Sequence, residues 1–208
     1  MTNTVRKVTT KECHDLILNV HYAHRLPSIS YAYGLFDGNE MVGCCTFGKP
    51  ASYTLCNGVC GEEYSKIVYE LNRLVLKYNK PNEASFFIAK CYKLLPKPMI
   101  IVSFSDYEQN HQGTIYQATN HLFTGVSPRQ KYYKLKTTSE TKGYRRRARM
   151  PKAKIIKEYG EDFVEEYYST NKNRYVMLLG SKVQKKQMLK ALKYTIMKYP
   201  TPITNEDN

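Results

Sequence analysis

No stretch of these 208 residues approaches eighteen consecutive apolar positions, so nothing reads as a membrane-spanning helix. The N-terminus, MTNTVRKVTTKECHD, lacks the apolar core of a signal peptide, and the expectation is a cytoplasmic protein. A disulfide framework is lacking too. Six cysteines, at 13, 44, 45, 56, 60 and 91, suggest reduced thiols in a chain of this length. No pair is spaced C-x2-C. The metal reading that remains joins Cys56, Cys60, one of Cys44 or Cys45 and a histidine around zinc or iron. Small buried residues account for these cysteines better, and no metal is expected. Internal repeats and convincing linkers are also missing, so one domain over residues 1–208 is expected.

Acidic residues are scarce in one place. From Arg129 to Lys157 there are 12 Lys or Arg and one acid, Glu140, which puts +11 of the net +14 in one segment. With YRRRAR at its centre, this is an electrostatic footprint for a polyanion. The expectation is a basic, helical, nucleic-acid-binding insertion over 129–171. Lys142, Arg145, Arg146, Arg147 and Arg149 would meet phosphates there, and Arg25 elsewhere, with salt-sensitive affinity. No amphipathic apolar face accompanies the arginines, which disfavours a membrane surface.

Hydrophobic spacing gives a strand at Val5–Val8, then a helix to about Tyr22, and a hairpin of Tyr31–Phe36 and Met41–Phe47 around Asp37-Gly38. A loop runs from Gly48 past CNGVCG to a short helix near Glu62–Ile67. A strand at Val68–Leu76, a helix from Asn82 to Leu95 and a buried, parallel-type strand at Met99–Phe104 follow. Helices are expected near Gln112–Leu122, Ala153–Tyr168 and Lys182–Met197, with strands at Tyr132–Leu135 and Tyr175–Leu179. The order predicts an α/β fold with a mixed, largely antiparallel central sheet flanked by helices. It resembles the GNAT acyltransferase fold, in which the fourth and fifth strands splay and the donor enters between them. That family binds the cofactor pyrophosphate on a Gly-rich loop before the next helix. The equivalent stretch here, YNKPNEASFF, lacks the pattern, though the helix start itself could hold an anion.

Chemistry concentrates in three stretches. In VSFSDYEQNHQGTIYQATN, residues 102–120, an apolar strand ends at Asp106, where ligand groups collect in parallel sheets. His111 and Gly113 sit in the following loop, and Tyr116, Gln117 and Asn120 lie along the next helix, Tyr116 and Asn120 sharing a face at i,i+4. Singly, Asp106 reads as a cap and Tyr116 as a core aromatic; together they read as a site. In YELNRLVLK, alternation puts Glu70, Asn72 and Leu74 on one face and Leu71, Arg73 and Val75 on the other. A Glu–Arg structural pair and a functional pair explain the charges equally well. In HYAHRLPSISYAYGLFDG, residues 21–38, His21, Tyr22, Tyr31 and Tyr33 form a polar–aromatic wall.

Three stretches are similar to the Mom-type DNA modification proteins of bacteriophages and prophages: residues 21–52, 55–76 and 103–125. The HY, ELNRL and D-x4-H-x-G-x2-YQAT motifs carry the likeness. The resemblance implies a phage- or prophage-encoded, GNAT-like enzyme working in the bacterial host's cytoplasm. It would convert adenine in double-stranded DNA to N6-(carbamoylmethyl)adenine and shield that DNA from restriction. Adenine N6 is reached only in an extruded base. Tyr22, Tyr31 and Tyr33 would stack on that base, Asn72 or Gln117 would read its edge, and His111, Gly113 and Asn120 would complete the pocket. Asp106 would take the N6 proton, with His21 as the alternative base, Tyr116 would protonate the leaving group and Arg73 would stabilise developing charge.

The implied product suggests an activated glycyl donor, carried on tRNA or as a coenzyme A thioester. Acylation of N6, attack of the glycyl amine on C6 through a five-membered spiro intermediate and loss of the amide nitrogen from C6 would leave C6–NH–CH2–CO–NH2. No SAM-type Gly-rich loop or D/N-P-P-Y motif is present, which disfavours an adenine methyltransferase. The competing classes are a GNAT-like N-acyltransferase acting on a small molecule or protein, and a non-catalytic DNA-binding protein.

Overall fold

The computed structural model describes residues 3–106, 113–136 and 150–200. Seven strands form the main sheet: β1 (Thr4–Lys7), β2 (Tyr31–Asp37), β3 (Glu40–Gly48), β4 (Val68–Leu76), β5 (Met99–Asp106), β6 (Leu122–Ser127) and β9 (Lys172–Leu179). Their spatial order is β1-β2-β3-β4-β5-β9-β6, and β7 (Lys131–Leu135) and β8 (Val164–Tyr168) form a separate two-stranded ribbon. Every pairing is antiparallel except that of β4 with β5. This is the mixed, largely antiparallel, GNAT-like architecture that the sequence predicts. The expected basic helical insertion is helical only in part: over its described residues it is the β7–β8 ribbon with a helix between the strands.

Five α-helices accompany the strands: α1 (Tyr53–Cys60), α2 (Glu83–Leu94), α3 (Thr114–Ala118), α4 (Lys152–Tyr159) and α5 (Lys182–Ala191). One sheet face is covered by α2, whose Phe87, Ile88 and Cys91 pack with Cys45, Phe47, Leu71 and Ile101. On the other face, α1 and α5 bury Val59 and Met188 over Val68, Ile100 and Val176. The turns of 3-10 helix (Lys11–Cys13) and π-helix (Leu16–Val20) cover Ala32, Cys44 and Val75. Alternation along β2 explains the division: Tyr33 and Leu35 face α2, while Ala32 and Phe36 face the N-terminal turns.

Several expectations change. Residues 53–60, read as loop, are helix α1, capped by Ser52, whose hydroxyl accepts from the Leu55 N–H. The helix expected to reach Leu122 ends at Ala118. Asn120 takes a left-handed conformation (φ 58°), and the chain turns into β6, which the spacing did not suggest. The helix expected through Tyr168 stops at Gly160, and Val164–Tyr168 pairs with β7 instead. The last helix ends at Ala191 rather than Met197.

Candidate active site

β4 and β5 hold register only from Val68–Glu70 against Ile100–Val102, then part company. The separated strands enclose a cavity of about 560 Å³, lined among others by His21, Tyr22, Glu70, Arg73 and Tyr116. That volume suits a small ligand or one extruded base. A bulge shapes its wall: Thr46 pairs with Arg73 and Phe47 with Leu71, which leaves Asn72 as the extra residue. The bulge breaks the expected alternation. Leu71 and Leu74 both pack on the α2 side, and Val75 packs against the N-terminal turns.

Asn72 is occupied at both ends, accepting from the Thr46 hydroxyl at 2.7 Å and donating to the Ser28 carbonyl at 2.8 Å. Arg73 donates from Nε and Nη2 to the Arg25 carbonyl at 3.3 and 2.9 Å and from Nη1 to the Asn72 carbonyl. These two residues thus fasten the 25–28 loop to β4, and Arg25 enters the site through its backbone oxygen. Arg73 forms no ion pair with Glu70 among the described residues. The Glu–Arg structural pair is therefore not made, and Glu70 is half-buried without a hydrogen-bond partner. Desolvation holds its carboxyl above the usual range, opposed by the charges of Arg73 and Lys172.

His21 is buried and stacks on Tyr22, ring centroids 4.3 Å apart. Its Nδ1 accepts the Ala23 N–H at 3.0 Å, so a neutral ring carries its proton on Nε2. That tautomer donates toward a ligand and is poorly arranged to act as the base. Tyr22, 46% exposed, stands at the cavity mouth, where a ring can stack on a base.

Tyr116 lines the cavity from α3, with its ring 5.1 Å from Tyr175 and 5.2 Å from His121. Burial pushes its phenol well up, so it stays protonated at neutral pH. Behind it is a residue that the sequence reading passed over. His121 is fully buried; its Nδ1 lies 3.1 Å from the Tyr116 carbonyl and 2.9 Å from the Thr119 hydroxyl. A carbonyl can only accept, so Nδ1 bears the proton and Nε2 accepts from the Tyr92 hydroxyl at 2.7 Å. Burial lowers His121 to about 4, which keeps it neutral. No local sequence pattern marks it; only the return of the chain into β6 buries it.

Other predicted site residues lie elsewhere. Tyr33 is 2% exposed in the core against Phe47, its phenol raised to about 12 by burial. Tyr31 packs edge-on to Tyr69 at 5.4 Å, outside the cavity lining. Gln117 is half-buried and Asn120 exposed; neither lines the cavity, and the left-handed turn removes the expected shared face with Tyr116. Gly113 has φ 76°, and a Cβ there would overlap the Tyr175 ring. It shapes the start of α3. Asp106 ends β5 opposite Lys172; its side chain, like His111, Lys142, Arg145, Arg146, Arg147 and Arg149, lies outside the described residues. All six cysteines are free and buried; Cys56 and Cys60 pack in the cluster under α1 and α5.

In a GNAT-like fold a coenzyme A diphosphate would be gripped at the start of α2. The residues there do not fit that group. The loop's backbone N–H at Lys80 is taken by Glu83 at 3.1 Å, and Lys77 and Lys80 are engaged by Glu40 and Asp37. No step is therefore routed through it.

Fold and cavity together define a GNAT-like α/β protein whose sheet parts around a titratable cleft. The model of the Mom protein family matches residues 2–201, and the chain belongs to that family. It is 30% identical over 138 residues to the methylcarbamoylase Mom of Escherichia phage Mu, a match covering 62% of this chain. The chain spans 57% of that relative's length. Among solved structures, it is similar to an N-acetyltransferase from Staphylococcus aureus Mu50 (11% identity, TM-score 0.48, 86% of this chain and 99% of that one). A phosphinothricin N-acetyltransferase described as putative gives 8% identity and TM-score 0.49, over 86% of this chain and 100% of that one. Among the described residues, no helix is long and apolar enough to cross a membrane.

Proposed function

We propose that this chain is a transferase that modifies adenine in double-stranded DNA, giving N6-(carbamoylmethyl)adenine and protecting phage DNA from restriction. Membership of the Mom family supports the reaction class. The observation that carries the residue assignment is the parting of β4 and β5, which faces a raised, unpaired carboxylate, Glu70, with a protonated phenol, Tyr116, in one cavity.

An extruded adenine enters at Tyr22 and stacks on its ring. The N6 lone pair is delocalised into the purine, so attack on an acyl carbon needs a base as the N–C bond forms. Glu70 accepts the N6 proton, its raised pKa making it a stronger base than a solvated carboxylate. Asp106, at the end of β5, is the second carboxylate for this role. Tyr116 protonates the leaving group, and His21, through Nε2–H, steadies the developing oxyanion while Arg73 holds the wall.

The acyl group is glycyl, and rearrangement of N6-glycyladenine through the spiro intermediate yields the carbamoylmethyl product. Nucleoside mass spectrometry of DNA from cells expressing the chain tests the function. The expected result is a deoxyadenosine carrying one carbamoylmethyl group in place of hydrogen. Glycine labelled at the α-carbon and nitrogen should deliver both labels to it; loss of either rules out the glycyl route. Unmodified adenine would leave an N-acyltransferase acting on another amine.

A further inference from the structure

The end of the cavity nearest α2 is where an anionic carrier would ordinarily be gripped, because a helix start presents free N–H groups and positive potential. Asn79 and Ala84 of this region line the cavity. Yet each anion-binding group of the 76–83 loop is matched by an acid of the chain itself. Glu83, only 6% exposed, accepts the Lys80 N–H through one carboxylate oxygen and the Asn3 amide, at 3.5 Å, through the other. Lys77 Nζ lies 2.7 Å from Glu40, and Lys80 Nζ lies 3.6 Å from Asp37. The first helical N–H, that of Glu83, is spent on the Lys80 carbonyl. Asn82, at the cap position, is left-handed (φ 61°) and offers no side-chain cap.

From this arrangement we infer that Glu83, with Asp37 and Glu40, closes the α2 end of the cavity to a diphosphate. The donor is then an acyl ester or thioester whose carrier places no diphosphate there. A diphosphate would bring at least two negative charges against a carboxylate that is buried and cannot swing into solvent. At that separation in a protein, like charges repel strongly. It would also have to break two lysine–carboxylate contacts to recruit any cation. A 3′-aminoacyl ester of RNA meets the condition; coenzyme A, whose diphosphate lies on the path from acyl carbon to nucleotide, does not. The inference rests on the acyl-transfer reading above, but its binding test is independent of it.

Calorimetric titration of the full chain with coenzyme A and with pantetheine, which lacks the nucleotide and its diphosphate, reads the closure directly. The expected result is that coenzyme A binds no better than pantetheine, including the case in which neither gives saturable heat. A gain of tenfold or more for coenzyme A overturns the inference. Glu83→Gln removes the charge and keeps the shape, so it should raise the coenzyme A to pantetheine affinity ratio about tenfold. Asp37→Asn, at a more exposed position, should raise it less. An unchanged ratio in both variants overturns the assignment to these acids. Excess coenzyme A should leave DNA modification in a cell extract unchanged, and inhibition there counts against the closure. If no modified adenine forms in any arm, the functional reading fails while the titrations still decide the inference.

Discussion

The cleft between β4 and β5 and the β7–β8 ribbon use the same residue types, carboxylates, cations and tyrosines, to opposite effect. In the ribbon they meet at the surface. Lys131 pairs with Glu166 and Lys134 with Glu165, each at 2.7 Å, and the same lysines lie over Tyr168 and Tyr167. In the cleft they stay apart. Glu70 has no partner, Arg73 spends its donors on carbonyls, and Tyr116 is raised by burial rather than by a cation. Exposed opposite charges neutralise one another and become structural. Half-buried charges kept apart retain perturbed proton affinities, and these are what a proton-transfer step needs.

The contrast breaks most sharply at Glu70. Glu70→Gln should lower adenine modification by about a hundredfold or more, the usual loss on removing a general base. Stability should move the other way. A carboxylate raised in the fold favours folding below its unfolded pKa and loses that contribution as pH rises through its folded pKa. At neutral pH the charge is therefore a burden, and the neutral amide should melt at the same temperature or higher. Loss of activity with a lowered melting temperature would mark Glu70 as structural. Full activity in Glu70→Gln with none in Asp106→Asn would move the base to β5. Tyr116→Phe should cost a similar order of activity while leaving the melt nearly unchanged.

A second prediction concerns the support behind Tyr116. His121 falls from 6.5 to about 4 on folding. A lowered pKa stabilises the fold above the unfolded value, and that contribution is lost as pH falls through the folded one. Chemical denaturation between pH 7 and pH 4 should therefore show His121 withdrawing on the order of 3 kcal/mol, mostly below pH 6.5. His121→Gln should flatten that part of the profile. Tyr92→Phe strips the donor from Nε2 and should cost about 1–3 kcal/mol at neutral pH. An identical acid profile in the wild type and His121→Gln would show that the imidazole is not held neutral as the geometry requires.

How much of this was legible in the chain follows the same division. The hairpin around Gly38, β4, α2 and β5 were readable because each carries its own signal: a turn with φ 59° at Gly38, alternation, or an apolar stripe under a clear start. Helix α1 was hidden because its sequence, YTLCNGVC, has glycine and small residues. Val59 and the two cysteines become a helix face only against Val68 and Ile100. β8 reads VEEYY, a run without a decisive period, and takes strand form by pairing with β7. At the site, Tyr116, His21 and Tyr22 were found from their clustering. Glu70 was seen as a costly charge, but the bulge at Asn72, which breaks alternation along β4, cannot be read from side-chain period. Tyr33 was placed in the site because aromatic density in a sequence does not distinguish a wall from a core.

The smallest effect is expected in the ribbon, and it bears on how DNA is held. Counted along the chain, residues 129–157 carry +11; in the fold, β8 and its flanks bring Glu158, Glu161, Asp162, Glu165 and Glu166 beside them. Lys131, Lys134, Lys152 and Lys154 each lie within 4 Å of one of these acids. A lysine already paired with a carboxylate releases little counterion when a phosphate approaches. Lys131→Gln with Lys134→Gln should therefore change the slope of log affinity for duplex DNA against log salt by far less than the ~0.9 that each free phosphate contact contributes. Glu165→Gln with Glu166→Gln frees the same two lysines and should steepen the slope and tighten binding. Equal and large slope changes in the lysine variant would mean that the pairs open on DNA, and that the ribbon belongs with the cleft as a working surface.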